Sequence, residues 1–364
     1  MWPRGPEDPV ACADARPVAS TPHLVLTYSH ARLGIRLAPS GAMLSLLNRL
    51  FGCGGVVAYH DVTRAPFSPT MHLSVDRLAE QLEFLVSERY RIIPLREFIE
   101  RRRAGLSVRR CVALTFDDAY HGVLEFALPL LERFAAPATV FVATAYARDG
   151  GRYWWDRLGW VVSQSNGNVP ASWKARPEEL RAELIATNAG RLEAAAETVL
   201  AALEEVVGRV PERSLTEPEL HALARSELID FGCHTESHPA LPLLSDDEQR
   251  CEIRHSYTWL ADRLPRVCEF LAYPYGLYDT RTVRAAREAG MEAAFSIEGR
   301  AGGSRFDLYT CPRIGMAEVN SVRSLGLRLS WLVIPLLAWR NGGWHPRIPV
   351  GRTPEATLAH PALS

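Results

Sequence analysis

The stretch "CVALTFDDAY" (111–120) carries the reading of the whole chain. Val112 to Phe116 is an apolar, β-branched run of strand length, and it ends on two adjacent carboxylates, Asp117 and Asp118. Two like charges at the edge of a core are costly unless a cation or hydrogen bonds offset them. A buried strand that delivers polar groups at its C-terminal end is what parallel α/β folds use to build a site.

Working outward, strand and helix patterns alternate. "GGVVAYHDV" (54–62) reads as a strand over Val56 to Tyr59 that ends on His60 and Asp61. "SVDRLAEQLEFLVSERY" (74–90) reads as a helix capped by Ser74, with Val75, Leu78, Leu82, Leu85 and Val86 on one face. A short strand "RIIPL" and a short helix "REFIERRRAG" precede the opening stretch. After it, "VLEFALPLLERF" (123–134) is helical with a kink expected at Pro129, and "ATVFVAT" (138–144) is a strand. The rhythm then breaks. Residues 147–215 are too long for a loop and hold an Ala, Glu and Leu-rich run (178–208) that reads as two helices, so a helical insertion is expected. Alternation resumes with capping boxes at Thr216/Glu219 and Ser245/Glu248, strands "IDFGC", "CEFLAYP" and "AAFSI", and a helix ending at Gly290. The pattern argues for parallel strands joined by crossover helices.

The 364 residues suit one large α/β barrel with an insertion or two domains, and the return of the alternation after the break favours the first. A net charge of −1 gives no electrostatic reason to expect nucleic acid as a partner, and the basic run 101–110 reads as a solvated helix end and loop. Seven scattered cysteines without a CxxC pair read as buried small hydrophobes in a reducing compartment. Residues 1–54 form a Pro- and Ala-rich extension with no signal-peptide pattern, which points to a cytoplasmic protein. The apolar run 329–339, within the C-terminal segment 321–364, is shorter than the roughly 20 residues needed to span a bilayer. It reads as a packed helix interrupted at Pro335, the alternative being a peripheral contact with the inner membrane.

Two further stretches carry chemistry. In "FGCHTESHP" (231–239), His234 and His238 are spaced so that both imidazoles can face one point, and Pro239 ends the segment. Two histidines and an aspartate form a common ligand set for a divalent metal. A cation shared by the histidines and one of the two aspartates would relieve the repulsion between Asp117 and Asp118. It would also make water a competent nucleophile near neutral pH, with the other carboxylate as proton acceptor. In "FLAYPYGLYD" (270–279), Tyr273, Pro274, Tyr275 and Gly276 form an aromatic turn, read either as plain turn chemistry or as a substrate-binding wall that supplies a backbone N–H to an oxyanion.

"LTFDDAY", "HTESHP" and "FLAYPYG", in this order, resemble the motifs of the polysaccharide deacetylase family of metal-dependent carbohydrate de-N-acetylases. "VVAYHDV" and "TCPRIGM" (310–316) are similar to the first and last strands of its bacterial exopolysaccharide branch, so the resemblance covers about 55 to 320. It implies a distorted (β/α) barrel with fewer than eight strands. It also implies Asp117 as general base, with Asp118, His234 and His238 holding a divalent ion, zinc first. Two departures stand out. The family's arginine two residues before the proline of the third motif is Ala272 here, and Arg313 is the nearest replacement, the alternative for it being a surface or interdomain salt bridge. The family's late histidine, its general acid, has no counterpart outside the tail residues His345 and His360. His60 is a further candidate for the rim, set against a purely structural hydrogen bond. Tyr153, Trp154, Trp155 and Trp160 read either as core for the insertion or as a surface for stacking sugars.

The expected function is removal of N-acetyl groups from a glycan or glycan precursor. The alternatives are hydrolysis of a non-sugar amide or cyclic imide at the same site, and a non-catalytic glycan-binding protein. The glycan, the acetyl position and the oligomeric state are open at this point.

Overall fold

The computed structural model describes residues 52–68, 70–165, 185, 194–297 and 307–330. The N-terminal extension up to residue 51, the first of the two helices expected in 178–208, and the apolar run from residue 331 onward lie outside the described residues.

The described residues form ten strands: β1 (Gly55–Tyr59), β2 (Asp61–Thr63), β3 (His72–Ser74), β4 (Arg91–Ile92), β5 (Cys111–Phe116), β6 (Ala138–Val142), β7 (Ile229–Cys233), β8 (Val267–Ala272), β9 (Ala293–Ile297) and β10 (Cys311–Gly315). β1 pairs with both β10 and β5, and the run from β5 through β9 to β10 closes the ring. The result is a seven-stranded parallel barrel, with β4 appended along the first half of β5. β1, β5 and β6 are buried on both faces, which is why their sequences read as continuous apolar runs rather than alternating ones.

The two parities along a strand enter different cores. Val57, Tyr59, Val112, Leu114 and Phe116 pack outward against Leu78, Leu82 and Leu85 of the helix Val75–Ser87. Val56, Ala113, Phe141, Phe270 and Phe295 form a second cluster. The rings of Phe141 and Phe295 lie 5.8 Å apart although β6 and β9 are not neighbours, so this contact crosses the barrel interior. Asp117 continues the inward parity of Ala113 and Thr115, and Arg313 on β10 is wholly buried.

Local signals read from sequence recur in place. Ser74 accepts a hydrogen bond from the Arg77 amide, and both capping boxes are formed. Two details differ. Val86 is 51 % exposed, because the buried stripe runs through Leu78, Leu82 and Leu85 and the helix ends one residue later. Gln81 takes a place in that stripe and accepts a hydrogen bond from the buried Tyr59 hydroxyl at 2.9 Å. Around Pro129 the helix does not simply bend. A π-turn over Val123–Ala127 precedes the α-helix Leu128–Arg133, since the proline supplies no amide to the preceding turn. Within the insertion, the helices Trp154–Gln164 and Ala194–Val207 pack on each other through Val161 and Leu200. Among the described residues no helix is long and apolar enough to cross a membrane.

Candidate active site

The C-terminal ends of β1, β5, β7 and β8 and the buried face of β10 converge on one point. At β5, Asp117 is still in line with the strand and its amide donates to the Tyr59 carbonyl at 2.9 Å. The next two residues, Asp118 and Ala119, have φ of 67° and 49°. Left-handed backbone of this kind costs on the order of 1–3 kcal/mol per non-glycine residue and persists only where surroundings enforce it. Enforcement comes from the insertion side: the Tyr153 hydroxyl donates to the Asp118 carbonyl at 2.7 Å, and the Leu215 amide to the Ala119 carbonyl at 2.8 Å. The reversal turns the Asp118 side chain away from that of Asp117, so adjacent carboxylates acquire different partners.

Asp117 meets Arg313. Nη1 donates to Oδ1 at 2.7 Å and Nη2 to Oδ2 at 2.6 Å, a fork-to-fork pair with both side chains buried. Arg313 is itself fixed by bonds to Thr115 Oγ1 (3.1 Å) and to the Ser296 carbonyl (3.3 Å). Burial alone would raise the Asp117 pKa, but the charge of Arg313, assisted by His234 and His60, outweighs it and holds the carboxyl below its usual range. Arg313 is therefore the arginine that holds Asp117, and it is not a surface salt bridge.

Asp118 meets the two histidines. Its Oδ1 lies 3.4 Å from His234 Nε2 and 3.3 Å from His238 Nε2, and it takes no hydrogen bond. One donor atom from each of the three residues lies within 4.8 Å of the others. His234 Nδ1 lies 2.8 Å from the Ala272 carbonyl, an arrangement in which N–H donation leaves the Nε2 lone pair facing Asp118. Two imidazole nitrogens and a carboxylate oxygen, all buried and aimed at one point, fit a divalent transition metal.

The histidine turn is built from strain and a carboxylate. Thr235 and His238 have φ of 67° and 57°. Glu252, from the helix Asp246–Arg263, accepts from the Glu236 and Ser237 amides at 3.0 and 2.8 Å and from the Ser237 hydroxyl at 2.5 Å. Nothing in the sequence around Glu252 marks it for this task.

The residues of the aromatic turn take different places. Tyr273 is wholly buried, stacks on Tyr278 at 5.2 Å, and donates its hydroxyl to the Tyr309 carbonyl, while Pro274 is buried beneath the turn. The Tyr273 amide donates to the Phe295 carbonyl and the Gly276 amide to the Tyr273 carbonyl. The face presented to the site belongs to Tyr275, at φ 58°, whose ring lies 4.6 Å from that of His238. Tyr153 and Trp155 complete this wall, with Trp155 4.9 Å from the His238 ring. Tyr153, Trp154 and Trp155 are core, whereas Trp160 is partly exposed. His60 retains some surface, yet its imidazole is packed closely enough that burial lowers its pKa, against the pull of Asp118 and Asp117.

The sequence profile of the polysaccharide deacetylase family matches residues 107–294, slightly more than half of the chain. The chain belongs to the polysaccharide deacetylase family. A poly-beta-1,6-N-acetyl-D-glucosamine N-deacetylase of Staphylococcus epidermidis is 24 % identical over 234 residues, which are 64 % of each chain, just short of two thirds of that relative. The enzyme of the same name from Staphylococcus aureus is 21 % identical over 68 % of each chain. Among solved structures, the Streptococcus pyogenes deacetylase PplD in complex with acetate superposes with a TM-score of 0.54 at 18 % identity, covering 76 % of this chain and 97 % of that one. IcaB from Ammonifex degensii superposes with a TM-score of 0.53 at 19 % identity and the same coverage. These two likenesses establish the barrel as that of the polysaccharide deacetylases.

Proposed function

We propose that this chain is a metal-dependent hydrolase that removes N-acetyl groups from an N-acetylated glycan of the exopolysaccharide type. The observation that carries the reading is the division of labour at the end of β5. One carboxylate is clamped and ionised by Arg313, and its neighbour converges with two imidazoles on a single point. The names of the staphylococcal relatives make poly-β-1,6-N-acetyl-D-glucosamine the first substrate to try.

Asp118, His234 and His238 would hold the ion, zinc being the first choice for this donor set. Such an ion would supply Lewis acidity for an amide carbonyl and for a water molecule. Asp117 is placed to take a proton from the water that attacks the acetyl carbon, and Arg313 keeps the carboxylate ionised and correctly aimed. The C–N bond then breaks, the nitrogen takes up the proton that Asp117 removed from water, and acetate leaves. His60 contributes a neutral hydrogen-bonding group at the rim. Tyr275 offers a face to the sugar, and Tyr153 and Trp155 keep the histidine side rigid.

The test is acetate release from a panel of N- and O-acetylated glycans and simple amides, with and without chelation and metal replenishment. Asp117→Asn should reduce turnover at least 100-fold at unchanged metal content, and His234→Ala should lower metal content itself. Full activity of Asp117→Asn, or acetate release only from simple amides, would overturn the reading.

A further inference from the structure

A second cluster of ligand-type side chains lies beside the first and plays no part in the chemistry above. Asp61 and His72 face each other as paired residues of the parallel strands β2 and β3, and Glu212 approaches from the segment before the helix Glu217–Leu223. One donor atom of each lies within 4.8 Å of the others. Asp61 is 2 % and His72 0 % exposed. Asp61 Oδ1, His72 Nδ1 and Glu212 Oε2 are each buried without a hydrogen-bond partner. Three unpartnered polar atoms in one spot are costly unless something shares them.

The far side of His72 shows what that is. His72 Nε2 lies 3.3 Å from Asp156 Oδ1 on the helix Trp154–Gln164. A carboxylate there fixes the tautomer with the proton on Nε2 and the lone pair on Nδ1, facing Asp61 and Glu212. Asp156 is held in turn by the Tyr120 hydroxyl, and Tyr120 by the Trp155 indole N–H at 3.1 Å. The carboxylate–imidazole–ligand relay of a metal site is thus complete, with three carboxylates gathered on one imidazole.

We propose that Asp61, His72 and Glu212 form a second metal site that takes a divalent transition-metal ion in a structural role. One nitrogen and two oxygen donors favour zinc, cobalt or manganese over calcium or magnesium. The ion ties the β2–β3 pair to the segment that closes the insertion. Through Asp156, Tyr120 and Trp155 it stiffens the wall against which His238 packs.

The experiment is metal analysis of the full chain after loading with zinc and removal of excess ion, together with thermal melts. Wild type should hold two equivalents. Asp61→Asn and Glu212→Gln should each hold one, Asp118→Asn one, and the Asp61→Asn/Asp118→Asn pair none. Added zinc should raise the melting temperature of Asp118→Asn and leave the double variant unmoved. Glu212 is only half-buried, so Glu212→Gln answers the question even where Asp61→Asn fails to fold. If Asp61→Asn or a folded Glu212→Gln retains as much zinc as wild type, the second site does not exist and the cluster is held by shared protons. If instead Asp118→Asn retains full zinc while Glu212→Gln loses it, the second site stands and the catalytic assignment above falls.

Discussion

Arg313 closes both arms of its guanidinium on Asp117, a residue 196 positions earlier, at 2.7 and 2.6 Å in a fully buried setting. Neither partner is tolerable there alone. Removing one member of such a pair costs roughly 3–5 kcal/mol, because it strands the other's charge. Arg313→Ala should therefore lower stability by about that amount and suppress turnover. Arg313→Lys keeps the charge but loses the fork, and turnover should fall about 10- to 100-fold with metal content intact. Ala272 and Phe141 belong to one cluster, and the guanidinium carbon of Arg313 lies 5.4 Å from the Phe141 ring centroid. An arginine introduced at 272 is expected to enter the space vacated at 313. The pair Ala272→Arg/Arg313→Ala should recover part of the activity lost in Arg313→Ala, and kcat measured on all three variants decides it.

Glu252 serves the site without touching it. Its carboxylate gathers two amides and a hydroxyl of the turn that aims His238. Glu252→Gln should weaken metal affinity about 10- to 100-fold, as loss of such supporting contacts does elsewhere. Activity should return at saturating metal. Chelator competition measures the first and a metal titration of rate the second.

Tyr153 holds the carbonyl of Asp118 while that residue is in a left-handed conformation. Tyr153→Phe removes one buried hydroxyl and leaves the carbonyl short of its main donor. The expected destabilisation is about 1–3 kcal/mol, read from denaturant melts. A matching loss of metal affinity would show that the bond positions the ligand as well as the backbone.

Acid stability should report on Glu219. Hydrogen bonds from Arg213 (2.7 and 2.8 Å) pull its pKa from 4.5 down to about 2, against the opposing effect of burial and with help from the Thr216 amide and hydroxyl. The folded carboxyl is more acidic than the unfolded one, so its contribution is complete above pH 4.5 and is lost as pH falls toward 2. Glu219→Gln should flatten melting temperature against pH in that interval. At neutral pH it should cost about 2 °C, in keeping with a partly exposed pair.

Legibility followed the range of the interactions. Caps at Ser74, Thr216 and Ser245 depend on residues three apart, and the strands on composition within a handful of positions, so both were readable from the chain. His234, His238 and an aspartate of the 117–118 pair are readable because their spacing and strand-end placement are themselves a signal, whereas the choice of Asp118 came only with the family resemblance. The rest depends on distant pairs. That Tyr275 rather than Tyr273 faces the site follows from a left-handed residue in the turn, which the letters Tyr-Pro-Tyr-Gly do not determine. Tyr153, Trp155 and Glu252 act through contacts with segments 15 to 83 positions away. The Asp61 and His72 cluster went unread because a pairing of β2 with β3 creates it, and neither strand exceeds three residues.

The place of β10 in the ring has a consequence for biosynthesis. It is the last strand of the barrel to leave the ribosome and the one inserted between β1 and β9, the first and the previous. Until it arrives, the inner face of β5 carries Asp117 without its arginine partner in a half-closed sheet, a state that resists collapse. Delivery of Arg313 thus closes the barrel and readies Asp117 in one event, so a chain truncated before residue 313 is incomplete in structure and in chemistry together.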